Sequence, residues 1–192
     1  MRYNSLFYIC HKIFQINILI FLAQRVLIQP KKITFIVMEW LSTGISPLKD
    51  LISFLHKKSK TNDVVKKHII IELRDNLNIF QNAFVNNSSY DNLAELLSNK
   101  AYQEAIKNNF SFKKLRSSVI ETKDVFDERN KRYIGWTAEK LADKIDEKIV
   151  ELKNIKKLNG GSFKNIKNDI PQMMSNLYFR MKLMADFIKS GS

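Results

Sequence analysis

From residue 38 onward, apolar residues recur every three or four positions, which is the spacing of one face of an α-helix. The clearest stretch begins near Thr137, and lysines on its other faces stand three residues from acidic side chains. Its apolar stripe consists of Leu141, Ile145, Ile149, Leu152 and Ile155. Gly160 and Gly161 end it, because glycine accepts the left-handed backbone common at helix termini. Such a chain must bury several helical stripes against one another.

Capping residues and turns divide this part of the chain into successive helical stretches. Proline after a capping residue marks two starts, because proline fits the first helical turn without losing a needed donor. The predicted helices run from Ser46 to near Lys58, from Thr61 or Asn62 to near Asn86, from Tyr90 to near Ile106, from about Val119 to near Asn130, from Thr137 to near Gly160 and from Asp169 to near Ile188. Short connections between such stretches predict an all-α, antiparallel helical bundle of four to five main helices, preceded by a hydrophobic N-terminal segment.

Residues 1–37 differ from the helical-bundle domain predicted for residues 38–192. They contain five basic residues and no acidic one, and Ile13 to Gln24 is uncharged. Three interpretations remain open for them. In the first, translation starts at Met38 or the segment is a poorly ordered extension. In the second, residues 6–28 form a single-pass membrane anchor. In the third, the segment packs on the helical-bundle domain. The apolar run is at the short end of what a bilayer requires. Lysines at 31 and 32 favour keeping the body in the cytoplasm.

The formal net charge of +13 raises the expectation of an anionic partner such as nucleic acid. Two stretches mix aromatic and basic residues, as proteins that bind single strands do. The candidate nucleic-acid-binding residues are Lys113, Lys114, Arg116, Arg129 and Arg132. A stacking surface requires exposed rings, whereas helical bundles more often bury them. Arginine is also scarce beside lysine, which weakens the expectation of sequence-specific reading.

The last predicted helix is apolar on more than one side. Its main stripe consists of Ile170, Met173, Met174, Leu177, Met181, Met184 and Ile188, whereas Phe179, Leu183 and Phe187 lie off it. A helix of this type is either central in the bundle or contacts a partner through its second face. The candidate partner-binding residues are Met174, Phe179, Leu183 and Phe187. They predict a protein partner or a second copy of the chain.

Catalytic, cofactor and metal signatures do not appear in the sequence. Cys10 is the single cysteine, and neither a serine elbow nor a phosphate-binding glycine loop is present. His68, Glu72 and Asp75 share one helix face, but a solvated flank explains them better than a metal site. The leading prediction is therefore a non-catalytic cytoplasmic interaction protein without a cofactor. The alternatives are a basic helical nucleic-acid-binding protein and a membrane-anchored adaptor with its body in the cytoplasm.

Overall fold

In a computed structural model, residues 45–191 are described, and within this range the secondary structure is entirely helical. The α-helices are α1 (Ile45–Lys58), α2 (Val64–Val85), α3 (Tyr90–Leu96), α4 (Lys100–Lys107), α5 (Ala138–Leu158) and α6 (Ile170–Ser190). Three short 3-10 turns lie between α4 and α5, at Phe112–Lys114, Thr122–Asp124 and Glu128–Tyr133. The predicted all-α bundle is confirmed. The leader 1–37 and the proposed anchor at residues 6–28 lie outside the described residues.

Side-chain caps fix where four of these helices begin. The side chains of Asp63, Ser89, Thr137 and Asp169 accept a hydrogen bond from a backbone N–H in the first turn of the following helix. Such a cap satisfies one of the four N–H groups that a helix start leaves unpaired, and it stabilises the helix by about 1 kcal/mol. The predicted starts at Thr137 and Asp169 are confirmed, whereas α2 is capped by Asp63 instead of Thr61 or Asn62.

Helix α6 is the central element of the bundle. It contacts α1, α2, α3 and α5, and the 3-10 turns Thr122–Asp124 and Glu128–Tyr133 also pack on it. Its buried residues therefore occupy most of its circumference. The four candidate partner-binding residues, Met174, Phe179, Leu183 and Phe187, are all buried. The prediction that they form a partner surface is corrected accordingly, because elements of the same chain cover both apolar faces of the helix.

The predicted helix from Tyr90 to Ile106 is interrupted in the structure. It forms two helices, α3 and α4, separated at residues 97–99. The buried amide of Asn76 on α2 bonds both the N–H and the C=O of Ser98, at 2.9 and 2.7 Å. These bonds replace helical ones at the break, so a long-range contact sets the end of α3.

The predicted helix from Val119 to Asn130 is wrong. Residues 116–136, termed here the covering segment, run along α6 with two 3-10 turns and no α-helix. Asp124 accepts a hydrogen bond from Ser190 near the end of α6, and Asn130 donates to the carbonyl oxygen of Phe179 in its middle. The side chains of this segment contact α6 at irregular intervals along the chain. The apolar residues are therefore spaced irregularly in the sequence.

Candidate functional site

Lysines gather at the N-terminal end of α2, and this surface is termed here the lysine end. Lys66 and Lys67 lie in the first turn of α2, which contains no acidic residue, and Lys60 precedes the helix. Unpaired N–H groups give a helix N-terminus a partial positive charge. Lysines there are unfavourable by a few tenths of a kcal/mol or more each, and the exposed Lys67 forms no ion pair with a described residue that would offset this cost.

Two other elements add lysines to the same place. The Nζ of Lys66 donates to the carbonyl oxygen of Lys114 at 2.6 Å, which fixes the turn Phe112–Lys114 against α2. Helix α4 runs toward the start of α2, because Glu72 contacts its first residues and His68 lies 3.6 Å from Glu104 further along. The lysine end therefore comprises Lys60, Lys66, Lys67, Lys107, Lys113 and Lys114.

Few carboxylates oppose these lysines. Asp63 accepts from Lys114 Nζ at 2.8 Å and from the backbone N–H of Lys66 at 3.0 Å. The hydrogen bond from Lys114 and then that from Lys66 lower the pKa of the Asp63 carboxyl, so it is ionised at neutral pH. Glu104 of α4 contacts His68. Lys60, Lys67, Lys107 and Lys113 are exposed and form no ion pair with a described residue.

The five candidate nucleic-acid-binding residues occupy different surroundings. Lys113 and Lys114 belong to the lysine end, and Lys114 Nζ lies 5.5 Å from the centroid of the half-buried Phe110 ring. Arg116 lies over the buried Phe187 ring at 5.3 Å, and Arg129 lies over Phe179. Phe179 and Phe187 are eight residues apart on α6, or about 12 Å. The five residues therefore do not form one surface.

Arg132 and the aromatic residues near it belong to the covering segment. The Arg132 guanidinium lies 5.1 Å from the centroid of Tyr133, whose ring packs edge-to-face on Trp136 at 5.0 Å. Tyr133 is buried and Trp136 is half-buried. These rings are consequently core and anchor residues, which is the alternative that the sequence left open, and they offer no stacking platform.

A second group of lysines, at the end of α5, has a structural explanation. Lys153, Lys156 and Lys157 line a groove with Glu95 and Gly161. Lys156 Nζ bonds Glu95 at 2.6 Å and the carbonyl oxygen of Asp91 at 2.9 Å. Cations at a helix C-terminus also interact favourably with its partial negative charge. Their position thus stabilises α5 without any ligand.

The three residues weighed as metal ligands have other roles. Glu72 accepts hydrogen bonds from the N–H groups of Ala101 and Tyr102 at 2.9 and 3.1 Å, so it caps the start of α4. His68 turns to Glu104, and Asp75 pairs with Arg74 at 2.7 Å. Within residues 45–191, no three His, Cys, Asp or Glu side chains are grouped to hold a metal ion.

Concave sites in the core are small. A crevice of about 40 Å³ lies between α2, α4 and α5, with Asn76, Tyr102 and Asp146 among its lining residues. It accommodates about one water molecule, not an organic substrate. The Tyr102 hydroxyl donates to Asp143 beside it. Burial, together with this hydrogen bond, raises the pKa of Tyr102 far above its ordinary value, so the phenol stays protonated.

Comparisons of the chain with protein-family models, with curated proteins and with solved structures give no match. None of the helices in the described range has both the length and the apolar character needed to cross a bilayer. The lysine end is the candidate functional surface. Sequence reasoning found Lys113 and Lys114 but missed Lys60, Lys66, Lys67 and Lys107. The available signal was the pair of lysines in the first turn of α2, where acidic residues are expected.

Proposed function

We propose that this domain is a non-catalytic binding protein that contacts the phosphate backbone of a nucleic acid through the lysine end. The observation that carries the proposal is the placement of Lys66 and Lys67 at the positive end of α2, beside lysines from two other elements. Lys66 and Lys114 also bind the turn Phe112–Lys114 to the start of α2, but Lys60, Lys67, Lys107 and Lys113 form no ion pair with a described residue that would offset their repulsion. An anionic partner relieves the repulsion, and displacement of its counterions drives binding.

The expected recognition does not depend on base sequence. Lysine presents a compact charge on a flexible stem, whereas base reading relies on the rigid donor fork of arginine. The lysine end contains no arginine, and its nearest ring, Phe110, is half-buried under Lys114. Binding should therefore track charge density and salt. Duplex and single-stranded probes of unrelated sequence should bind similarly at equal phosphate density.

The test compares two charge-matched variants by fluorescence anisotropy with a labelled oligonucleotide. One variant changes Lys60, Lys67, Lys107 and Lys113 to Gln. These side chains are exposed and have no hydrogen-bonding partner among the described residues, so the fold should persist. The matched control changes Lys153, Lys157, Lys164 and Lys167 to Gln, which removes the same charge from the last turns of α5 and from the loop that follows it.

Wild-type affinity should fall on the order of a hundredfold between about 50 and about 200 mM salt if four phosphates are contacted. The lysine-end variant should bind more weakly, with the slope against salt reduced by about one for each lysine that contacts a phosphate. The control should retain most of the affinity. Absence of wild-type binding at low salt, or equal losses in both variants, would refute the proposal.

Exposed apolar side chains of the covering segment favour a second candidate function, the binding of a protein partner or of a second copy of the chain. Phe126 is 74 % exposed, and Val119 and Ile134 are also exposed. Isolated exposed apolar residues are common on protein surfaces, so this observation supports a function less strongly than the lysine end does. Light scattering on the wild type and on Phe126→Ser would test it. A monomer at all concentrations, with no change in the variant, argues against self-association.

A further inference from the structure

The middle of α6 carries an arginine in unusual surroundings. Arg180 is 6 % exposed and lies beneath the covering segment. Its Nε donates to the hydroxyl oxygen of Tyr133, at 2.5 Å. Among residues 45–191, no carboxylate forms an ion pair with Arg180, and its two terminal nitrogens bond no side chain or carbonyl. The guanidinium group of a largely buried side chain is thus held against a phenol hydroxyl and not against a carboxylate of the described residues.

A second guanidinium approaches the same phenol. Arg132 lies 5.1 Å and Arg180 5.9 Å from the centroid of the Tyr133 ring. Arg132 is exposed and forms no ion pair with a described residue. The Tyr133 side chain is 3 % exposed, and its oxygen accepts from Arg180. Its hydroxyl hydrogen has no acceptor in the described part of the chain.

Neighbouring Arg129 shows what a compensated arginine looks like in this fold. Its Nε bonds Asp127 at 2.8 Å, and another of its nitrogens donates to Ser175 at 3.0 Å. A buried charge without such a partner is strongly unfavourable. Arg132 and Arg180 therefore place two guanidinium groups, neither of them paired with a carboxylate of the described residues, against one aromatic side chain.

We propose that Arg132, Arg180 and Tyr133 bind a phosphoryl group. A phosphate dianion matches two uncompensated guanidinium groups in charge, and its oxygens accept from the arginine nitrogens and from the phenol O–H. The site has a buried floor, formed by Arg180 and Tyr133, and an exposed rim at Arg132. It uses α6 and the covering segment, so it does not depend on the nucleic-acid contact proposed for the lysine end.

The test measures phosphate binding by isothermal titration calorimetry at constant ionic strength. Inorganic phosphate and phenyl phosphate are the two probes, and acetate is the control anion. Arg132→Gln changes an exposed side chain and should fold normally. Lys131→Gln is its matched control, because Lys131 is also exposed but pairs with Glu128. Arg180→Met and Tyr133→Phe then test the floor.

Wild-type protein should bind phosphate and not acetate. Arg132→Gln should weaken phosphate binding about tenfold or more, as expected for loss of a charge-assisted hydrogen bond, whereas Lys131→Gln should not. Binding of both probes indicates that the site takes a phosphate monoester, and binding of inorganic phosphate alone indicates the free ion. Failure to bind either probe, or equal losses in Arg132→Gln and Lys131→Gln, would overturn the inference. If Arg180→Met does not fold, Tyr133→Phe tests the floor in its place. Phosphate binding should weaken in Tyr133→Phe if the O–H group donates to the phosphoryl group, and it should not change if the hydroxyl only holds Arg180 in position.

Discussion

The guanidinium carbon of Arg129 lies 3.8 Å from the centroid of the Phe179 ring. Sequence reasoning assigned Arg129 to a nucleic-acid surface and Phe179 to a protein-partner surface, yet the two residues contact each other. A cation over an aromatic face contributes about 0.5–2 kcal/mol, depending on its exposure to water. This contact holds the covering segment to the central helix, and one prediction follows directly from it.

A double-mutant cycle should detect this coupling. Arg129→Met and Phe179→Leu each keep apolar bulk but remove the cation or the ring face. We expect a coupling free energy of about 0.5–1.5 kcal/mol from urea unfolding of the wild type, both single variants and the double variant. The cycle Lys131→Met with Phe179→Leu serves as control and should be additive. Additive free energies for Arg129 and Phe179 would show that the contact does not stabilise the fold.

Glu72→Gln should destabilise the start of α4. The carboxylate of Glu72 accepts from Ser98 Oγ at 2.6 Å and from the N–H groups of Ala101 and Tyr102. An amide has one acceptor oxygen, so we expect a loss of about 1–3 kcal/mol. Hydrogen exchange at Ala101 and Tyr102 should accelerate. The control variant Glu104→Gln, on the exposed side of α4, should lower the free energy of unfolding by less than about 0.5 kcal/mol. Similar losses in both variants would contradict this role of Glu72.

Asp186 should make stability depend on pH in a defined direction. Burial raises the pKa of its carboxyl, although the hydrogen bond from Lys182 Nζ at 2.7 Å opposes this effect. The folded protein therefore holds the proton more tightly than the unfolded chain does. The contribution of this group to stability is complete below its unfolded pKa and declines as pH rises through the folded pKa.

Asp186→Asn removes this titration. The unfolding free energy of the variant relative to the wild type should thus increase with pH above about 4 and then level off. Chemical unfolding at a series of pH values measures it. Lys182→Met should shift the wild-type decline to higher pH, because the cation that favours the ionised carboxylate is gone. A difference between Asp186→Asn and wild type that is constant with pH would exclude the predicted shift.

Gly135→Ala should cost about 1–2 kcal/mol for a reason of backbone conformation alone. Gly135 has φ +85°, and no heavy atom lies within 4 Å of where a Cβ would stand. Its N–H donates to the carbonyl oxygen of Ile120 at 2.8 Å, which closes the covering segment on itself. Thermal unfolding of Gly135→Ala and Gly135→Asn checks this, because asparagine tolerates positive φ better. Equal melting temperatures for Gly135→Ala and the wild type would contradict the predicted cost.

Local signals predicted the regular helices well. Thr137 and Asp169 cap helices as expected, because capping is decided within four residues of the chain. The break at Ser98 was not predictable in this way. It depends on Asn76, twenty-two residues earlier, whose amide bonds both backbone groups of Ser98. Contacts between distant parts of the sequence have no local pattern.

The two-sided apolar pattern of α6 was detected, but the sequence could not say what covers the second side. Phe179 and Phe187 would show the same spacing against a partner or against their own chain. Arg116 and Arg129 lie over these rings, so the chain supplies the cover itself. The candidate functional surface was only partly predicted for a related reason. Helix α4 folds back along α2 toward the start of that helix, and a linear sequence does not display this arrangement.

The central position of α6 has a consequence for synthesis on the ribosome. Helix α6 follows every other described helix in chain order, yet it contacts α1, α2, α3 and α5. The earlier helices consequently emerge from the exit tunnel before the helix that covers their apolar faces. The core of the bundle cannot be completed until α6 has been translated. During that interval the nascent chain should be a client for chaperones that recognise exposed apolar segments.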